Sequence, residues 1–284
     1  MPRSQHLTDL RNKWVLVTGA ASGIGFATAK AFARRKAKLI ITDINETALN
    51  AAALELSASG VTCVAQFCDV SSVASVAACA AAVQAQTPAL DVLVNNAGIA
   101  FMGGFLETSV EQWQRTLQVN VMGPVHMTRA FLPAMQAAKG ARHVVNVASM
   151  ATYTPAPNMS AYAASKGAVK LFNETLALEL AGSNVLVQGV YPGVINTPIV
   201  GGIRSVGANI SPQQLEQLQR HYAHKGCSPD VVGEDIAIGV LKGKAHIFSG
   251  PQSILGRVAS ALSNRLTRAV TLQAARRIGY LPNA

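Results

Sequence analysis

The sequence is short of charge, of aromatic rings and of paired cysteine. Only 13% of its residues are Asp, Glu, Lys or Arg and 5% are Phe, Trp or Tyr, against 50% hydrophobic. A disordered chain needs the opposite balance, so a largely unfolded protein is excluded. The scarce aromatics are not interleaved with Lys and Arg, and no recognition motif appears. Nucleic acid is therefore not an expected partner, despite a formal net charge of +10. Cys63, Cys68, Cys79 and Cys227 form no CxxC pair and no zinc-like spacing with histidine, so no metal site is read and the four count as reduced core filler. The polar opening, Met1 to Lys13, carries no apolar stretch behind its basic residues, so no secretory signal is read. No apolar run reaches the roughly 18 residues of a membrane-spanning helix. The expectation is a soluble cytoplasmic protein. Acid is missing in one place: Ile236 to Ala284 holds no Asp or Glu, while Lys242, Lys244, Arg257, Arg265, Arg268, Arg276 and Arg277 supply positive charge.

What is present is an alternation. A chain of 284 residues suits one large α/β domain, which buries about three quarters of its unfolded surface. Short β-branched runs at 14–18, 38–44, 62–67, 91–96, 143–149, 185–191 and 245–249 read as seven strands. Their apolar runs are nearly continuous, as strands buried on both faces require. Helical stretches separate them at 25–35, 46–59, 71–86, 110–138, 161–181 and 229–241. Ser109 with Gln112, and Ser228 before Pro229, read as helix starts. The pattern predicts a doubly wound, mostly parallel α/β sheet with helices on both faces. A Rossmann-type domain is expected over 1–251, with an insertion at about 195–227 holding a short helix opened by Ser211-Pro212. A basic helical tail follows over 252–284.

Glycines stand where a dinucleotide needs them. Gly19-Ala20-Ala21-Ser22-Gly23-Ile24-Gly25 follows the first strand and opens the first helix. Gly19 permits the tight turn, and Gly23 and Gly25 let backbone N–H groups approach a pyrophosphate at the helix N-terminus. Asp43, followed by Ile44, ends the second strand 18 residues after Gly25, near the separation expected of a carboxylate that binds ribose hydroxyls. That carboxylate repels a 2′-phosphate and favours NAD. The cations that NADP wants, Arg34, Arg35, Lys36 and Lys38, lie in or just after the helix rather than at the strand end. Asp69-Val70 and Asn95-Asn96-Ala97-Gly98 close the third and fourth strands at the sheet edge where ligands bind, although turn chemistry alone also explains them.

Tyr162 and Lys166 are four apart on a predicted helix and share a face, close enough for the ammonium to favour a phenolate. Ser149 ends the fifth strand and is placed to hold a reacting oxygen. Asn120 lies three residues before Gly123-Pro124, a pair expected to disturb its helix, where an amide can hold a water feeding protons to Lys166.

Taken in order and spacing, these residues with Pro192-Gly193 resemble the short-chain dehydrogenase/reductase family over about residues 10 to 250. The resemblance implies a seven-stranded doubly wound sheet and an Asn-Ser-Tyr-Lys site working without metal. By the same resemblance, Tyr162 is the general acid/base, Lys166 its modulator and a ribose ligand, Ser149 the substrate-oxygen anchor and Asn120 the relay support. Val194, Ile195 and Thr197 then contact the nicotinamide end of the cofactor. The implied reaction is hydride transfer between NAD(H) and a secondary alcohol or ketone, in a homodimer or homotetramer joined through the long helices near Asn120 and Tyr162. The alternative is a non-catalytic NAD(H) sensor or scaffold.

The insertion carries Ile195, Ile199, Val200, Ile203, Val206, Ile210, Leu215 and Leu218, which suggests a lipophilic substrate or simply packs the insertion down. Across 254–278, Val258, Leu262, Leu266 and Val270 recur every four positions with Arg257, Arg265 and Arg268 on another side. One loosely amphipathic basic helix is expected, docked on its own domain or a neighbouring subunit, or lying on an anionic membrane surface.

Overall fold

The structure is a computed structural model that describes residues 6–197, 206–207, 210–250, 253–277 and 281. Seven parallel strands form one sheet: β1 (Trp14–Thr18), β2 (Lys38–Asp43), β3 (Cys63–Phe67), β4 (Val92–Asn95), β5 (Arg142–Val147), β6 (Val185–Pro192) and β7 (His246–Ser249). Their order is β3-β2-β1-β4-β5-β6-β7. Helices follow on both faces: α1 (Gly23–Arg34), α2 (Glu46–Ser57), α3 (Val73–Gln84), α4 (Val110–Leu117), α5 (Gly123–Ala137), α6 (Ser160–Glu179), α7 (Pro212–Lys225) and α8 (Pro229–Leu241). The C-terminal segment adds α9 (Ser253–Leu262) and α10 (Asn264–Arg277).

Period-two alternation sorts the strand residues into two cores. Val15 and Val17 of β1, with Leu39 and Ile41 of β2, pack against α1, α2 and α8. Leu16 and Ile40 point the other way, into a cluster with α3, α5 and α6. Every β1 residue from Val15 to Val17 is fully buried, which accounts for the absence of polar residues there. Strand β1 is in register with both neighbours, Val17 lying opposite Ile41 of β2 and Val94 of β4. The order of strand addition reverses across the β1–β4 pair: β2 and β3 are laid to one side and β5 to β7 to the other. The carboxyl ends of β1 and β4 therefore open a crevice between diverging connections, which is where ligands of such sheets bind.

The expected strands and the six main helices are present with ends shifted by at most two residues. Two expected helices are divided. The stretch 110–138 is interrupted by a π turn at Gln118–Met122, in which the Gly123 N–H reaches back to the Gln118 carbonyl. Gly123-Pro124 explains the break, because proline at that point supplies no N–H to an α-helical ladder. The tail is two helices rather than one, parted at Ser263. The helix opened by Ser211-Pro212 is 14 residues long and carries a complete Ser211–Gln214 capping box. Among the described residues, no helix is long and apolar enough to cross a membrane.

Candidate active site

A cavity of about 460 Å³ runs along the carboxyl edge of the sheet from Asp43 and Ile44 to Tyr162 and Tyr222. Its near end is built on hydrogen bonds from β4 to β1. Thr18 Oγ1 accepts from the backbone N–H groups of Asn96 and Ala97, both at 3.0 Å. Asn96 Nδ2 donates to the carbonyls of Thr18 at 2.9 Å and Gly19 at 3.1 Å. The Asn96-Ala97 turn thus clamps the glycine loop. Gly19 has φ +62°, and a Cβ there would lie 2.8 Å from Ala97 Cα, so only glycine fits.

The start of α1 fits an anion. Ser22 stands at the N-cap but makes no side-chain cap hydrogen bond, whereas Asn45, Ser72, Ser109, Ser211 and Ser228 all cap their helices. With no acid in the first turn, the N–H groups and dipole of α1 face the cavity uncompensated. Asp43 is fixed by N–H groups of Ala21 at 3.1 Å and Asn45 at 3.0 Å. Asp69 closes a turn on Ser71, with Oδ1 2.6 Å from its hydroxyl.

Gly19, Ser22, Gly23, Ile24, Asp43 and Ile44 line the cavity; so do Asp69, Val70, Asn96, Ala97 and Gly98, and farther along Pro192, Gly193, Val194, Ile195 and Thr197. Two expected residues do not. Gly25 is buried behind the loop, where a Cβ would lie 2.1 Å from the Gly19 carbonyl oxygen. It is a packing joint, not a wall. Asn120 is 1% exposed and also sits behind the wall. Its Oδ1 accepts from the Ile99 N–H at 2.8 Å, while Nδ2 donates to the Ile99 carbonyl and to Ser165 Oγ, both at 2.9 Å. Both amide protons are used, so the side chain braces Ile99 against α6.

The far end gathers Ser149, Tyr162 and Lys166. Ser149 ends the β5 connection and caps a 3₁₀ turn by accepting from Ala151 N–H at 3.1 Å. Its hydroxyl also hydrogen-bonds the Tyr162 phenol, which favours ionisation there, but burial outweighs this and pushes the phenol up to about 12. Lys166 lies one turn along α6, its Nζ 5.8 Å from the Tyr162 ring centre and 2.9 Å from the Val147 carbonyl that accepts from it. It is 4% exposed, and burial brings its ammonium down to about 8.

The insertion closes this end. Its base is pinned by mutual hydrogen bonds of Val194, Asn196 and Cys227, and its far side is latched by the Gly207 N–H donating to the Met102 carbonyl at 2.7 Å. Ile195, Ile210 and Leu218 are buried, so among the described residues much of its apolar content packs the insertion down. Ile199, Val200 and Ile203 lie outside the described residues, as does Ile278 of the tail. Helix α7 brings Leu215, Leu218 and Tyr222 over Met102, Met159 and Tyr162.

Sequence reasoning did not find Arg115, Val119, Met150, Met159 and Tyr222 on the cavity wall. Arg115 and Val119 were reachable, since they are four apart and share one face of the helix that leads into Asn120. No sequence signal marks Tyr222, which reaches the cavity only because the insertion folds back.

A doubly wound sheet with a glycine turn at its reversal and an uncapped first helix defines a Rossmann-type nucleotide-binding protein. Residues 13–206 match the family model described as short chain dehydrogenase, and the chain belongs to that oxidoreductase family. It is 38% identical over 234 residues to the probable oxidoreductase EphD of Mycobacterium tuberculosis, 81% of this chain and 40% of that protein. The chain thus spans about two fifths of that relative's length. It is also 38% identical over 191 residues to a cyclopentanol dehydrogenase of a Comamonas species, covering 67% of this chain and 76% of that one. Among solved structures, a short chain dehydrogenase/reductase of Burkholderia phymatum in complex with NAD is 30% identical, with TM-score 0.83 over 93% of this chain and 97% of that one. A variant actinorhodin polyketide ketoreductase with NADPH is 29% identical, with TM-score 0.74 over 83% and 94%. These neighbours support a nicotinamide dinucleotide as the cofactor.

Proposed function

We propose that the protein is an NAD-dependent alcohol dehydrogenase or carbonyl reductase acting on a lipophilic secondary alcohol or the corresponding ketone. The observation that carries this is the meeting of Ser149, Tyr162 and Lys166 at the far end of a cavity whose near end fits a dinucleotide. The uncapped N-terminus of α1 with Gly19 and Gly23 would hold the pyrophosphate, Asp43 the adenosine ribose, and Val194, Ile195 and Thr197 the nicotinamide end. The nicotinamide supplies the hydride donor or acceptor.

Every other step belongs to the protein. Ser149 holds the substrate oxygen through its hydroxyl, beside the phenol it already hydrogen-bonds. Tyr162, protonated at neutral pH, is ready to give its proton to a ketone oxygen; in the oxidative direction it must first lose that proton. The buried ammonium of Lys166 favours the phenolate through space. Asn120 keeps this face of α6 in place through Ser165.

The walls about Tyr162 are Met150, Ala151, Ala156, Met159 and Tyr222, an apolar chamber that supports a lipophilic substrate. The cyclopentanol dehydrogenase similarity points the same way. NAD is favoured over NADP because the nearby cations are engaged elsewhere. Arg34 and Arg35 pair with Glu234, Lys38 lies over the Trp14 ring, and neither these nor Lys36 line the cavity. Arg115, which does line it, supports NADP as the second reading. Exposed Val110, Leu117 and Met122 near α4, with Leu171 and Leu178 on α6, support a homodimer or homotetramer built on those helices.

The test follows NADH fluorescence while a panel of alcohols is offered with NAD and then NADP, wild type beside Tyr162→Phe. Loss of the phenolic proton should lower turnover about 10²- to 10⁴-fold. Turnover in Tyr162→Phe within tenfold of wild type would remove Tyr162 from the chemistry.

A further inference from the structure

The first of the two C-terminal helices, α9, is mounted in reverse. An ordinary surface helix turns its apolar stripe inward and its polar face to water. In α9 the inward residues are Ser253, which is buried, and Gly256, whose missing side chain lets the helix bed on Met150 and Thr154. The outward face carries the large apolar residues: Ile254 is 64% exposed, Leu255 71% and Leu262 81%, with Val258 half exposed beside them. The neighbouring α10 is seated through Thr267 and Ala275, both buried. Its opposite side presents Arg265 and Arg276, with exposed Arg268 and Arg277 on its flanks. An apolar helix face therefore adjoins a basic one, in a stretch of chain that contains no acid.

We propose that this helix pair docks on an anionic lipid surface. Apolar side chains exposed to this degree are stabilised by leaving water, and the arginines beside them match a negatively charged headgroup layer. A second copy of the chain suits the face less well. Pairing α9–α10 with itself would bring two arginine-rich helices together on proteins that each carry +10, with no acid in the segment to offset them. The apolar residues of α4 and α6 offer an uncharged alternative for self-association. Lys242 and Lys244 precede β7, at the opposite edge of the sheet, and take no part. Since α9 rests on Met150, a wall of the cavity, docking also brings that wall near lipid; this consequence alone rests on the lipophilic-substrate reading.

The experiment mixes the full-length protein with phosphatidylcholine vesicles, pure or with about a third phosphatidylglycerol to set the surface charge, and reads the bound fraction by co-sedimentation. Binding is expected on the anionic vesicles only and is expected to vanish at about 1 M salt, where the screening length is about 3 Å. Arg265→Gln with Arg276→Gln should lower partitioning about thirtyfold, the effect of two charges near such a surface. Leu255→Gln with Leu262→Gln should lower it as well, while melting temperature and NADH binding stay at wild-type values. Absence of binding to anionic vesicles, or equal binding to neutral ones, overturns the proposal. So does a leucine-pair variant that scatters light as a smaller assembly than wild type, which would assign the face to a second copy.

Discussion

Gly25→Ala probes whether the glycine turn works as a packed joint. An alanine Cβ at this position would lie 2.1 Å from the Gly19 carbonyl oxygen, 2.5 Å from Asn96 Nδ2 and 2.8 Å from the Gly19 carbonyl carbon. Two of these are backbone atoms of a turn already held by Thr18 and Ala97, so α1 must back away from the sheet by roughly 1 Å, against close packing on both sides. Overpacking of this kind costs about 1–3 kcal/mol. Displacing Asn96 also threatens its bonds to Thr18 and Gly19, about 1 kcal/mol each. The sum, roughly 3–5 kcal/mol, is a large part of a native stability of about 5–15 kcal/mol. It corresponds to a fall in Tm of about 10 °C for a chain of this size. Affinity for NADH should fall too, because Gly19, Asn96 and Ala97 form the cavity wall. Gly167→Ala is the matched control: on α6, its Cβ meets nothing within 4 Å, and the change should stabilise by about 0.5–1 kcal/mol. Thermal melts by circular dichroism and NADH fluorescence titrations read both variants. A Gly25→Ala protein with wild-type Tm and wild-type NADH affinity would refute the packing argument.

Asp43→Ala should weaken NADH binding about 10- to 100-fold through loss of a charged acceptor, and bind NADPH no worse; if Arg115→Ala moves the NADH/NADPH ratio instead, the NADP reading holds. Lys166→Met should stabilise the cofactor-free protein while destroying turnover. The ordinary ammonium titrates at 10.5 and the buried one at about 8, so burying its charge costs about 3 kcal/mol in full below pH 8, a cost that fades between pH 8 and 10.5. The stability gain of Lys166→Met should therefore be greatest below pH 8 and disappear above 10.5, and a pH-independent gain would contradict it. Tyr222→Phe removes a phenol that pushes Tyr162 up, so the rising limb of the alcohol-oxidation profile, set by ionisation of Tyr162, should move to lower pH; an unmoved limb would mean that the two phenols do not interact.

Residues whose role is set by strand ends were legible in the sequence; residues whose role depends on folding at a distance were not. The glycine loop, Asp43, Asp69 and Asn96 sit where short apolar runs stop, and a parallel sheet brings all such stops to one edge. Ser149, Tyr162 and Lys166 follow from a strand end and a helix spacing. Gly25 shows the limit of this reasoning. A glycine beside a turn has the same sequence signature whether its backbone faces a ligand or its missing side chain admits a carbonyl, and only the 2.1 Å approach to Gly19 separates the two. Asn120 was placed correctly at a disturbed helix, but its amide is committed to Ile99 and Ser165, contacts that span 21 and 45 residues. The tail misled for a related reason. Its four-residue period implies an apolar face, and period alone does not say whether that face turns toward the protein or away from it.

The choice between an enzyme and a cofactor-binding sensor turns on Lys166. A sensor needs the clamp at Asn96, the uncapped α1 and the carboxylate at Asp43, all of which lie at the near end of the cavity. It has no use for an ammonium buried to 4% exposure and donating to the Val147 carbonyl, since a methionine would fill that space without the desolvation cost. Structure retained against stability is characteristic of sites that do chemistry. The same logic covers the phenol of Tyr162, held neutral by its apolar surroundings and touched by the Ser149 hydroxyl. A phenylalanine there would pack as well, but would carry no proton. If Tyr162→Phe binds NADH as wild type does, and both it and Lys166→Met fail to turn over an alcohol that wild type oxidises, the far end of the cavity is for catalysis. If wild type binds NADH and oxidises nothing in the panel, the two polar groups have no chemical role to explain their cost, and the sensor becomes the better reading.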